Sequence, residues 1–179
     1  MQAFVRQCVV IGGLIVCPGI GVPVNRDATF VPPPDSRLLK LQRFLSERDS
    51  PIQHLAQDFL IAADRFGLDW RLLPAIAMVE SSGGKYHPHG NIFGWDNGLE
   101  EFPSIHASIY EISEKMSIMR WYKDRDLDGV LWMYNPVSGY GDRIKNTMKL
   151  IDPDFRVTRR VMFPSKAPRQ TPVPQTRLM

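Results

Sequence analysis

Cysteine is nearly missing from this chain. Among 179 residues there are two, Cys8 and Cys17, both close to the N-terminus. The body that follows has no disulfide framework, no cysteine metal site and no thiol nucleophile. Long apolar runs are also scarce. The most uniform, Cys8-Val-Val-Ile-Gly-Gly-Leu-Ile-Val-Cys17, is about half the ~20 residues of a spanning helix, and no later segment is apolar for long enough to span a membrane. Acids are absent from Arg156 to Met179, where six basic residues lie. Residues 1–155 then hold 16 basic against 19 acidic side chains, so the formal charge of +3 belongs to the tail. An acidic body with a basic end argues against a nucleic-acid-binding domain. The basic, proline-rich tail suits an anionic wall polymer or membrane surface, although a solvated, disordered end is the plainer reading.

Proline is present but segregated. Nine of the 15 prolines lie in Pro18–Pro34 or Pro164–Pro174, in stretches without sustained periodicity that read as linker and tail. About 120 residues remain from Asp35 to Asp154, enough for one domain with a single core. The start reads as a secretory signal: Arg6, the apolar run to Cys17, a break at Pro18-Gly19, and small residues at Gly19 and Gly21 for cleavage. The alternative is a strand of the domain core, which Pro18, Pro23 and Pro32-Pro33-Pro34 oppose. Leu14-Ile15-Val16-Cys17 is a faint lipobox, weakened by Val16. The expected organisation is signal peptide 1–21, linker 22–35, one domain over 36–154 and tail 155–179. The expected destination is the periplasm or the outside of the cell.

The body is read as mainly α. Ser36 caps a helix carrying Leu38, Leu41 and Leu45 on one face. Ser50-Pro51 opens a second with Ile52, Leu55, Ala56, Phe59, Ala62 and Ala63, ending at Gly67. Asp69 caps a third, Trp70 to about Ser81, with Pro74 near its start. Ser104 to about Tyr122 is a fourth, bearing Ile105, Ile109, Ile112, Met116 and Met119. Asp126 to Tyr134 and Gly139 to Ile151 follow, the last with Ile144, Met148 and Ile151 in register. Gly83 to Pro103 breaks the pattern with glycines and aromatics. It reads as a long loop or small β-hairpin, and loops of this length in compact domains are usually functional.

In the third helix, Leu73, Ile76, Ala77 and Glu80 fall at i, i+3, i+4 and i+7, one face that finishes in a carboxylate. A carboxyl half-buried against apolar groups resists ionisation, which suits a general acid. The plainer alternative is a solvated glutamate in a last helical turn. Other candidates are weaker. His87, His89 and Asp96 match no zinc spacing, and Ser81 and Ser82 lack a nucleophile elbow. No metal or cofactor is implied.

Asp69-Trp-Arg-Leu-Leu-Pro-Ala-Ile-Ala-Met-Val-Glu-Ser-Ser82 resembles the catalytic helix of peptidoglycan hydrolases of the lysozyme-like superfamily, among them lytic transglycosylases and endo-beta-N-acetylglucosaminidase-like domains. Asn91-Ile-Phe-Gly-Trp-Asp-Asn-Gly98 resembles that family's Asn-x-x-Gly-Trp loop. Trp132-Met-Tyr-Asn-Pro-Val-Ser-Gly-Tyr140 resembles its Tyr-Asn-Pro segment. The similarity spans about Ile52 to Ile151. The Gly-Leu-Met-Gln signature of transglycosylases is absent, and Gly83 stands where a bulkier residue is usual, which would loosen substrate packing.

The resemblance implies a lysozyme-like helical domain whose glycine-rich lobe flanks a cleft, with Glu80 as acid. Its substrate would be the N-acetylmuramic acid/N-acetylglucosamine linkage of peptidoglycan glycan strands. Ser81 or Ser82, with Asn91, would orient the acid or an N-acetyl group. Gly94, Trp95, Tyr134 and Tyr140 would contact sugar; the alternative for the three aromatics, and the plainer one for Tyr140, is ordinary core. A second carboxylate from Asp96, Glu100 or Glu101 would give hydrolysis; without one, Glu80 would act alone and leave an anhydro sugar. A monomer without nucleic-acid partners is expected. The rival from another class is a catalytically inactive wall-binding module.

Overall fold

A computed structural model describes the backbone of Val9–Ile11 and Leu14–Val16 and all of residues 35–155. The chain divides into two compact units, Met1–Pro33 and Pro34–Met179. In the first, β1 (Val9–Ile11) and β2 (Leu14–Val16) pair antiparallel, with Val10 opposite Ile15. The expected cleavage site, the Cys17 lipidation site, most of the linker and the basic tail lie outside the described residues.

The second unit is mainly helical. It holds α1 (Ser36–Ser46), a 3-10 turn Gln53–Leu55, α2 (Ala56–Phe66), α3 (Leu72–Ser81), a 3-10 turn Trp95–Gly98, α4 (Ile105–Ile118), α5 (Leu127–Tyr134) and α6 (Tyr140–Ile151). No described helix is long and apolar enough to cross a membrane. The expected apolar faces are inside: Leu41 and Leu45, Phe59 and Ala62, Ile109 and Ile112, and Ile144 and Met148 are all buried.

Several boundaries move, each for a visible reason. Asp35, not Ser36, caps α1, its side chain accepting from Arg37 N at 2.9 Å. Ser50-Pro51 leads into the 3-10 turn, and α2 proper begins at Ala56. Its C-cap is left-handed Gly67, as expected. Asp69 caps an entry turn, accepting from Arg71 N at 2.9 Å, and α3 starts at Leu72. α4 is capped by Ser104 but stops at Ile118, four residues short of Tyr122. The Tyr122 ring is instead buried against Trp95, centroids 6.1 Å apart. Tertiary packing has overridden a continuing helical pattern.

α3 sits at the centre and packs most extensively on α6, while α2 packs on α4. The single buried stripe expected of α3 is too narrow a reading. Leu72, Pro74 and Ala75 are buried as well as Leu73, Ile76 and Ala77, because a central helix meets neighbours all round. Pro74 is tolerated in the first turn, where its missing N–H costs no intrahelical bond.

The glycine-rich segment forms turns and no strand, so the hairpin alternative is not realised. Ile92, Phe93 and Phe102 anchor it in the core, with Phe93 edge-on to Phe59. Phe102 N donates to His89 O at 2.9 Å and closes the loop on itself.

Candidate active site

The site is assembled where α3 ends. Ser82, Gly83 and Gly84 all take left-handed conformations, reversing the chain directly after Glu80 and Ser81. Ser81 is buried, its hydroxyl donating to Ala77 O at 2.8 Å and accepting from Gly84 N at 3.0 Å. These bonds lock the helix end and occupy Ser81, which corrects its expected role in substrate binding. Ser82 is the exposed C-cap. Gly83 is buried behind the site, its carbonyl accepting from Ser50 Oγ at 2.7 Å. A Cβ there would strike Met78 Cε at 2.8 Å, so its small size serves core packing and not the substrate.

The reversal brings the Asn91–Glu100 stretch across the end of α3. Asn91 is buried and fully engaged. Its amide donates to Trp95 O and Glu100 O, both at 2.9 Å, and its carbonyl oxygen accepts from Trp95 N at 3.0 Å. It therefore ties the two limbs of the loop together and has no donor left for the acid or for sugar, a second correction. Gly94 has φ +63°, and an added Cβ would lie 3.0 Å from Glu80 Oε2. Glycine meets both demands, a left-handed backbone and a close approach to the carboxyl, without strain.

Glu80 opens onto a cleft of about 800 Å³ whose walls include Gly94, Trp95, Glu100, Trp121 and Tyr134. The half-dry setting expected of it is not found: Glu80 is exposed, since the cleft is broad and α3 delivers its last turn to the open edge. Yet the carboxyl is not adrift, because Gly94 and two tyrosines stand beside it. Among the described residues Glu80 has no ion-pair partner.

An aromatic chain backs the cleft. Trp95 meets Tyr134 edge-on at 5.7 Å and Tyr122 at 6.1 Å, and Tyr134 stacks on Tyr140 at 6.0 Å with planes 9° apart. The Tyr134 hydroxyl donates to Phe93 O, pinning α5 to the loop. Burial, then neighbouring Tyr140 and Glu80, push the Tyr134 hydroxyl well above the usual tyrosine range. Burial alone pushes Tyr122 up to about 12. Tyr140 is 1% exposed, so its ring is core, the plainer of its two expected readings, and not a sugar platform. Its hydroxyl is buried without an aligned hydrogen-bond partner. Burial, then the adjacent Glu80 carboxyl, hold it far above the ordinary range.

The second-carboxylate candidates separate. Glu100 lines the cleft but is ion-paired with Lys115. Asp96 lines it too, exposed and left-handed at φ 52°. Glu101 does not line it and lies 3.6 Å from His89 on the outer side. Sequence reasoning missed Met119, Trp121 and Pro136 in the walls. Trp121, half exposed in the turn after α4, carried a usable signal: a tryptophan next to Arg120 and off the apolar face that Ile105, Ile109, Ile112, Met116 and Met119 define.

No family model, curated protein or solved structure matches the chain. The family resemblance therefore rests on the three motifs and their order.

Proposed function

We propose that the protein is a lysozyme-like enzyme that cleaves peptidoglycan glycan strands outside the cytoplasm, with Glu80 as the general acid. One observation carries this reading. The Glu-Ser-Ser helix, the Asn-x-x-Gly-Trp loop and the Tyr-Asn-Pro segment resemble one family's motifs, and they converge on a single cleft with Glu80 at its edge and Trp95 and Tyr134 in its walls. Aromatic faces bordered by polar tips suit sugar rings.

In the mechanism, a strand occupies the cleft and displaces the water around the carboxyl. Glu80 then protonates the glycosidic oxygen between N-acetylmuramic acid and N-acetylglucosamine, and the C1–O bond breaks with oxocarbenium character. With Glu100 held by Lys115, Asp96 is the remaining cleft carboxylate free to activate water; otherwise Glu80 takes back a proton as the sugar's own 6-hydroxyl closes an anhydro ring.

The exposure of Glu80 favours a second reading, a wall-binding module that retains the aromatic cleft without catalysis. Sedimentation with purified peptidoglycan separates the two when wild type is compared with Glu80→Gln. The enzyme reading expects both to bind and only wild type to solubilise the wall. Binding by both with cleavage by neither supports the module.

A further inference from the structure

The cleft does not end at its visible rim. Asn135, Pro136 and Val137 line it on one side and a second hollow of about 210 Å³ on the other. Asp128 and Trp132, i and i+4 on one face of α5, border this hollow together with Asn135, the extended residue that ends the helix. Trp132 is 63% exposed, an unusual position for the largest side chain. Gly139 and Gly141 contribute no side chains to the opposite wall.

The chemistry around Trp132 is mixed. Asp128, Asn135, Ser138 and Asp142 border the hollow beside Leu131, Pro136 and Val137, so apolar faces and polar groups alternate around the indole, as the two kinds of surface on a sugar ring require. It is not a bare trap for cations. Lys145 bridges Asp128 and Asp142 at 3.0 Å each and offsets one of their two charges, while their remaining lone pairs can accept from hydroxyls. Asn135 Oδ1 accepts from Val137 N at 3.1 Å, which fixes the amide in place. An aromatic face ringed by fixed acceptors and an amide is what a pyranose ring with equatorial hydroxyls requires.

We infer that the Trp132 hollow is a second carbohydrate-binding site that receives a distal sugar of the same strand, passing over the Pro136 rim. It rests on the glycan-cleaving reading and would make the protein favour long strands over short ones.

The test uses the full chain carrying Glu80→Gln, titrated with N-acetylglucosamine oligomers of increasing length while the tryptophan indole N–H signals are followed by NMR. Dimers should move the signals of the cleft tryptophans Trp95 and Trp121 and leave Trp132 still, and long oligomers should move all three. Trp132→Ala should weaken long-oligomer binding about tenfold and leave dimer binding unchanged, with Trp132→Phe retaining most of the affinity. Equal affinity of wild type and Trp132→Ala at every length, with Trp95 still responding, would overturn this inference and leave the cleft reading intact. Silence of Trp95 towards every oligomer would overturn both.

Discussion

The two ends of α3 handle charge in opposite ways. At its start, Arg71 pairs with Asp69 at 2.6 Å and with Asp152 at 3.3 Å, and Lys40 pairs with Asp152 at 2.7 Å. Asp152 and Arg71 are largely covered, and Phe155 and Trp70 flank the guanidinium. That network knits α1, the entry to α3 and the end of α6. At the other end Glu80 stands without an ion-pair partner among the described residues, beside a buried hydroxyl that also lacks an aligned partner. Stability asks for the first arrangement. The second leaves polar capacity unused in the folded protein, which is expected where a ligand will use it.

Substitutions at each end should therefore fail differently. The largest effect belongs to Glu80→Gln. It should lower cleavage of purified peptidoglycan by about 10³-fold or more, while thermal unfolding stays close to wild type because the side chain is exposed and unpaired. A fall in melting temperature equal to that of a core variant would mean Glu80 is structural after all.

Gly94→Ala comes next. Its methyl would push on Glu80 Oε2, so activity should fall by about 10²-fold through misplacement of the acid. Left-handed strain should add about 1 kcal/mol of destabilisation by denaturant titration.

Asp152→Asn probes the structural end. We expect about 2 kcal/mol of lost stability with unchanged cleavage per folded molecule. Burial alone would raise the Asp152 carboxyl, but the Lys40 ammonium bonded to it, aided by Arg71, holds it below the usual range. A carboxyl lowered in the folded state stabilises fully above its unfolded pKa. That contribution disappears as pH falls through the lowered native value, so wild type should lose stability more steeply than Asp152→Asn below about pH 4.

The smallest effects should come from the stacked tyrosines. Tyr134→Phe removes the bond to Phe93 O and should cost about 1 kcal/mol. Tyr140→Phe removes a hydroxyl with no aligned partner and should change stability by less than about 0.5 kcal/mol. Equal losses for the two would show that Tyr140 has a partner in solution.

The helices were legible in the sequence because their apolar spacing and caps agree. The fourth and fifth helices begin where expected, at Ser104 and Asp126, which turn out to be their caps, and Gly67 ends α2. The convergence of Glu80, Trp95 and Tyr134 could be expected from motif order. Their surroundings could not. Asn91 and Ser81 are polar residues next to an acid, and sequence does not distinguish a side chain free for substrate from one consumed by backbone groups. Periodicity put Glu80 on the buried face of α3, but it does not say where a neighbouring element stops covering that face. Trp121 escaped notice because α4 was extended through it; its wall position follows from the tertiary packing of Tyr122.

Mass spectrometry of the soluble products from purified peptidoglycan, wild type beside Glu80→Gln, bears most directly on the role given to Glu80. Wild type should release glycan fragments ending in anhydro-muramic acid or in a new reducing sugar, and the variant should release none. Intact strands from wild type, or the same fragments from both proteins, would contradict a glycosidic cleavage driven by that carboxyl.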